Sequence, residues 1–189
     1  MSCFRIFSLW KPVWFFYCVL YFLSSCNKPQ EDKAASVRSQ ARVFNADQKD
    51  PASDPKGAEI VEYASTLLGI PYKVAGKNEE GFDCSGFVSY VFKHYGIGIP
   101  SSTKALINVG ERIDLAKAAP GDIIFFTGTD SSSTDVGHAG IIVSRTADST
   151  RFIHSSSARS SACVKYNVLE ASRGYQRRFM MVRRVLRQH

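Results

Sequence analysis

Gly81-Phe82-Asp83-Cys84-Ser85-Gly86-Phe87-Val88 places one thiol where a helix is expected to begin. Beyond Gly86, the apolar residues Phe87, Val88, Val91, Phe92 and Tyr95 recur at helical spacing, and Gly96 follows as a C-terminal stop. Cys84 then falls in the first turn. Unpaired backbone N–H groups and the positive end of the helix dipole favour negative charge there, so the reading expects a depressed thiol pKa and a reactive thiolate. A lone cysteine is more often just a small buried apolar residue, so its partners decide the matter.

Two histidines downstream lie in strand-like settings. Pro120-Gly121-Asp122 reads as a turn and Ile123-Ile124-Phe125-Phe126 as a short apolar strand. A polar loop through Ser131-Ser132-Ser133-Thr134 leads to His138-Ala139-Gly140-Ile141-Ile142-Val143, with His138 opening the next strand. Arg151-Phe152-Ile153-His154 reads as a third strand, joined through Ala147-Asp148-Ser149-Thr150. Neighbouring antiparallel strands lie about 4.8 Å apart, so His138, near the start of one, and His154, near the end of the next, can meet side by side. A thiol nucleophile needs a base to take its proton and return it to the leaving amine, and the base needs a third group to fix its tautomer. Cys84, His138 and His154 fill these roles in order. Taken singly, each histidine reads as a hydrogen-bonded structural residue; the ordered set is what is specific.

These stretches, together with Gly69-Ile70-Pro71-Tyr72, Gly137-His138-Ala139-Gly140-Ile141 and Phe152-Ile153-His154-Ser155, resemble in order the motifs of the NlpC family of bacterial cell-wall cysteine peptidases. The resemblance covers about residues 57 to 186. It implies a papain-like α+β fold, with N-terminal helices carrying the cysteine packed on a central antiparallel sheet carrying the histidines. It also implies cleavage of peptidoglycan stem peptides or cross-links by a triad of Cys84, His138 and His154. By the same resemblance Tyr72 lines the cleft beside the nucleophile, Asp83 shapes the subsite for the substrate's amino side, and Ser85 joins them as a substrate contact. Read from the residues alone, Tyr72 is a half-buried aromatic after a proline turn and Asp83 a helix N-cap. The chain departs from the family where many relatives carry Arg and Gln, having Ser101 and Leu106 in a segment expected to border the cleft, and in Lys73-Val74-Ala75-Gly76-Lys77. Length and single catalytic domain resemble the lipoprotein endopeptidases that open cross-links. The alternatives are a γ-D-glutamyl-diaminopimelate stem peptidase, an amidase or acyltransferase on the same scaffold, and a non-catalytic wall-binding module.

The N-terminus supplies an address. Arg5 and Lys11 precede an uncharged apolar run from Val13 to Leu23, which Leu23-Ser24-Ser25-Cys26 closes. The run is shorter than the roughly 20 residues a membrane-spanning helix needs, and it reads as a signal peptide over residues 1–25. Small residues before a cysteine resemble the lipobox of bacterial lipoproteins, in which Cys26 is acylated and becomes the first mature residue. An ordinary secretory signal or an uncleaved anchor is the competing reading. The expected location is the cell envelope, lipid-anchored to the outer membrane on its periplasmic side. Residues 26–55 are polar and read as a flexible tether of about 30 residues, spanning about 30 Å on average and about 100 Å at most. Asp54 and Pro55 look like the cap and first residue of a helix whose buried face is Ile60, Tyr63, Ala64, Leu67 and Leu68, ended by Gly69. The peptidase domain is assigned to residues 56–189.

Cys3 and Cys18 leave with the signal, so Cys163 remains as a free thiol with no disulfide framework. No zinc-type spacing is present, and neither a metal nor another cofactor is expected. The formal charge of +7 falls to +5 without Arg5 and Lys11. The excess gathers in Arg173, Arg177, Arg178, Arg183, Arg184 and Arg187, either as a patch for anionic wall or lipid groups or as a solvated strand face backed by Phe179, Met181 and Val185. Export argues against nucleic acid, and the expected partners are peptidoglycan and the membrane, with the chain a monomer. His94 and His189 read as surface residues. The lipobox reading predicts that Cys26→Ser abolishes incorporation of radioactive fatty acid and leaves an uncleaved precursor, whereas wild type takes up label; an unlabelled, secreted wild type would overturn it.

Overall fold

The computed structural model describes residues 54–130 and 132–186. The signal, Cys26, the tether up to residue 53, Arg187 and His189 lie outside the described residues. Helix α1 (Pro55–Thr66) starts as the sequence indicates: Asp54 Oδ1 accepts from the Lys56 N–H at 2.8 Å and Pro55 occupies the first turn. Ile60, Ala64 and Leu67 are buried, Tyr63 and Leu68 partly so. A short ribbon of β1 (Lys77–Asn78) and β2 (Gly81–Phe82) then leads into α2 (Cys84–His94), capped by Asp83. Phe87, Val88, Val91 and Phe92 are fully buried, and Tyr95 caps the helix before Gly96, whose φ is +74°.

The remaining elements are α3 (Thr103–Leu106), β3 (Glu111–Ile113), a 3-10 turn (Leu115–Lys117), β4 (Ile123–Thr127), β5 (Val136–Arg145), β6 (Thr150–Ser155), β7 (Val164–Val168), α4 (Arg173–Arg178) and β8 (Phe179–Arg184). Six strands form one antiparallel sheet in the order β3-β8-β4-β5-β6-β7, which makes the architecture α+β. Every residue of β4 is buried because both faces of the sheet are covered. Ile123, Phe125, Ala139, Ile141 and Ile153 pack with the apolar faces of α1 and α2. Ile124, Phe126, Ile142, Phe152 and Val182 form a second cluster with Ala118 and Leu169, flanked by Tyr175 and Phe179.

Two sequence expectations change here. Phe179 and Met181 do not share an apolar face. A bulge shifts the β4–β8 register between Phe125 and Phe126, so Met181 pairs with Phe125 and Phe179 with Phe126, on opposite faces. Leu106 does not border a cleft; it is fully buried in the helix-side core, where an apolar side chain is more stable than in water.

The late arginines are partly structural. Arg178 donates to the carbonyls of Thr127 and Gly128, at 3.4 and 3.0 Å. Arg184 grips Asp122 with two parallel bonds, Nε to Oδ1 at 2.8 Å and a terminal nitrogen to Oδ2 at 2.7 Å. The Asp122 side chain is 2% exposed and also accepts from the Ala119 N–H, while its own carbonyl accepts from Ile142. The Pro-Gly-Asp turn and β8 are thereby joined at one carboxylate, and β5 is joined to the same residue through its backbone carbonyl. Removing the carboxylate leaves a partly buried guanidinium without its counter-ion and the buried Ala119 N–H without its acceptor, so Asp122→Ala is expected to cost about 3–5 kcal/mol in urea unfolding. A loss below about 1 kcal/mol would place this pair with ordinary surface bridges.

Candidate active site

Cys84 enters the site from the first turn of α2. Asp83 Oδ1 accepts from the Gly86 N–H at 2.6 Å, fixing the helix start. The Ser85 hydroxyl lies 3.1 Å from the same oxygen and donates to the Ser101 carbonyl at 2.9 Å, tying the turn to the segment after Pro100. Ser85 is buried, so its side chain serves the scaffold. Cys84 Sγ lies 3.9 Å from the Gly137 carbonyl, and the Ala139 N–H bonds to the sulfur. The thiol therefore rests against the backbone on either side of His138.

That backbone is specially shaped. β5 begins at Val136, two residues before His138, and its register with β4 shifts so that Phe126 faces His138 but Thr127 faces Val136. Gly137 is the extra residue of this bulge, a device that re-aims neighbouring side chains. A Cβ on Gly137 would sit 2.4 Å from Gly128 Cα, so only glycine fits.

His138 and His154 meet as diagonal neighbours on β5 and β6. The β5–β6 register places Ile141 opposite Ile153, hence Gly140 opposite His154, with His138 two residues further along the same face. A Cβ on Gly140 would lie 3.0 Å from His154 Cβ; its absence leaves room for the ring to lean across. His138 Nε2 and His154 Nδ1 are 2.8 Å apart, with the rings nearly perpendicular. The file continues to β7, where Asn167 Oδ1 lies 2.9 Å from His154 Nε2. Phe126, Phe152 and Tyr175 wall the pair, with ring centroids 5.0 to 6.2 Å from one another or from the imidazoles.

These surroundings set the protonation states. Burial pushes the Cys84 thiol up and the charge of Asp83 adds to this, against the N–H groups of Ala139, Ser85 and Cys84 itself. The expected net depression at the helix start is not found, because desolvation outweighs the local dipoles. His138 is held well below its ordinary value by desolvation first, then by His154 and Arg178. His154 is pushed down to about 4 by desolvation, with the Asn167 contact opposing. The resting site therefore pairs a thiol with neutral imidazoles.

Tyr72 is half-buried, and its phenol pKa is raised by burial and then by the neighbouring Cys84 and Asp83. Asn167 and Tyr175 were not singled out in the sequence. For Asn167 the available signal was an asparagine inside the strand-like run Val164-Lys165-Tyr166-Asn167-Val168, where that residue type is depleted. Cys163 is a half-buried free thiol bridged to Pro71 by backbone pairing. His94 is exposed and stacks on Tyr63 at 3.7 Å. A groove of about 510 Å3 follows Gly86, Ser89, Tyr90 and Lys93, the face of α2 turned away from Cys84. Among the described residues no three His, Cys, Asp or Glu side chains gather to hold a metal ion, and no helix is long and apolar enough to cross a membrane.

The depressed histidines give stability a pH dependence. Unfolded His154 takes its proton near 6.5 and folded His154 only near about 4, so the unfolded chain binds more protons between these values. The contribution is complete above 6.5 and is lost as pH falls to about 4, on the order of 3 kcal/mol. Urea unfolding across this window should show stability falling with acidification and a shallower slope in His154→Gln. An unchanged slope in that variant would contradict the assignment.

A model described as the NlpC/P60 family matches residues 69–184. A probable endopeptidase of Mycobacterium tuberculosis is 37% identical over 98 residues, covering 49% of this chain and 24% of that protein. The gamma-D-glutamyl-L-lysine dipeptidyl-peptidase of Bacillus cereus is 32% identical over 112 residues, covering 58% of this chain and 32% of that protein. The chain thus spans about a quarter to a third of the length of these curated relatives. The crystal structure of an NlpC/P60 family protein from Bacillus cereus superposes with a TM-score of 0.62 at 30% identity, over 70% of this chain and 41% of that one. The α+β architecture is accordingly the papain-like one. With its fold, motif order and matched span in agreement, the chain belongs to the NlpC/P60 family of peptidoglycan hydrolases and cysteine peptidases.

Proposed function

We propose that this chain is a peptidoglycan endopeptidase with Cys84 as nucleophile, His138 as base and acid, and His154 as the group that orients His138. The carrying observation is the thiol lodged against the backbone flanking His138, whose ring is bonded to His154 at 2.8 Å. Because thiol and imidazole both rest neutral, attack is coupled to proton transfer: the Cys84 proton passes to His138 Nδ1 as sulfur bonds to the scissile carbonyl carbon. N–H groups at the start of α2 face the developing oxyanion. The carbon–nitrogen bond breaks as His138 returns the proton to the amine, and water releases the thioester with the histidine as base. Tyr72 and Asp83 border the acyl side, while Ser85 holds the turn that presents them.

The peptide cut is assigned to wall cross-links or stem peptides. Ser101 in place of the family's arginine removes a fixed cation and favours cross-links; Leu106 carries no weight, being in the core. A γ-D-glutamyl cut is the second reading, favoured by the dipeptidyl-peptidase relative. The sequence of the N-terminus supports an exported lipoprotein, held through Cys26 at the periplasmic face of the outer membrane, with residues 26–55 as tether and the peptidase domain following; the chain is taken to act as a monomer.

Digestion of purified peptidoglycan, with fragments resolved by chromatography and mass spectrometry, tests the reading. Wild type should convert dimers to monomers with unchanged stems, and Cys84→Ala should lose at least about 1,000-fold of that activity while staying folded. Stems shortened to D-glutamate would establish the second reading. Undiminished hydrolysis by Cys84→Ala would overturn the mechanism.

A further inference from the structure

We infer that Asn167 is a positioning residue that fixes the tautomers of both site histidines, and that His138 is a base because of it. The inference rests on the proposed roles of Cys84 and His138 and adds a fourth member to them. An amide oxygen can only accept a hydrogen bond. Asn167 Oδ1 lies 2.9 Å from His154 Nε2, so that nitrogen carries the hydrogen. His154 Nδ1 is then a bare lone pair. It lies 2.8 Å from His138 Nε2, which must be the donor across that contact. The remaining nitrogen of His138, Nδ1, is left with its lone pair free. One acceptor on β7 thus sets the polarity of two imidazoles and leaves a proton acceptor at the far end of the file.

The opposite polarity needs a donor aimed at His154 Nε2, where the Asn167 amide presents its oxygen and not its NH2 group. Tyr175 is the alternative neighbour, but its hydroxyl is 3.4 Å away, beyond the usual range. Its ring is packed under the Arg178 guanidinium at 4.9 Å, and Arg178 is tied to the Gly128 carbonyl. Tyr175 therefore walls the pair without competing for it. With the polarity reversed, His154 Nδ1–H would donate to His138 Nε2, and His138 Nδ1 would carry a hydrogen where the thiol proton must go. The strand register makes the arrangement possible: Asn167 faces Phe152 directly and reaches His154 as a diagonal neighbour, the relation His154 has to His138. A groove of about 490 Å3 lined by Arg151, Tyr166, Asn167, Val168, Ala171 and Ser172 approaches Asn167 from the sheet edge, so that amide can be changed without opening the helix-side core.

Two variants and two readouts test this. Asn167→Leu keeps the shape and removes the acceptor; Asn167→Asp keeps an acceptor and adds charge. Ring-nitrogen chemical shifts of 15N-histidine-labelled protein, recorded without substrate near neutral pH, should show a single Nε2–H tautomer for His138 and His154 in wild type and in Asn167→Asp. They should show mixed tautomers in Asn167→Leu. With a defined muropeptide, Asn167→Leu should lose about 10-fold to 100-fold in kcat with KM within about twofold. Asn167→Asp should stay active, with its acid limb moved to higher pH, because a carboxylate favours imidazolium at His154 and reverses the polarity earlier as pH falls. Unchanged ring-nitrogen shifts in Asn167→Leu, or an unmoved acid limb in Asn167→Asp, would overturn the inference. A wild type that shows the single tautomers yet does not hydrolyse wall peptides would overturn the proposed function alone.

Discussion

Two imidazoles in hydrogen-bond contact cannot both carry an extra proton, and much of this domain is arranged to keep His138 and His154 neutral at 2.8 Å. Desolvation by Phe126, Phe152 and Tyr175 does most of this, which is why both histidines titrate below their ordinary range. The same burial raises the Cys84 thiol. A site built this way stores no ion pair at rest. It relies on geometry to couple bond formation to proton transfer, and geometry is what the scaffold supplies.

The scaffold works through backbone more than through side chains. The bulge at Gly137 brings a carbonyl to the thiol and aims His138, and the missing side chain at Gly140 lets His154 lean toward it. Asp83 and Ser85 hold the start of α2, so that Cys84 meets the sheet at the correct end. In the turn before β4, Asp122 meets Arg184 of β8 and clamps distant parts of the sequence together. A shift in either clamp would move the nucleophile relative to its base, and small misplacements in such sites are costly.

The parts of this arrangement governed by local pattern were legible in the sequence. The helical spacing after Gly86, the Asp54 and Asp83 caps, the apolar β4 run and the order Cys84, His138, His154 all follow from short-range periodicity, and the structure brings the last two together. What was missed depends on register and burial. A one-residue bulge put Phe179 and Met181 on opposite faces, which no alternation pattern reveals. Leu106 went to the core because α3 turns it inward. The helix dipole at Cys84 is present, but the depth of burial that outweighs it is a tertiary property. Asn167 reaches His154 only through a diagonal across two strands, and the sequence marked it merely as an unusual residue in a strand.

The central claim is that this geometry makes Cys84 a covalent nucleophile toward wall peptides. Rapid mixing of the enzyme with a purified muropeptide, acid quench and mass spectrometry of the tryptic fragment bearing Cys84 tests it directly. The account predicts a transient mass increase on that fragment equal to the acyl half of the substrate, lost as product accumulates. Product formation with no acylated Cys84 at any quench time, in protein whose alkylated thiol still turns over substrate, would contradict it.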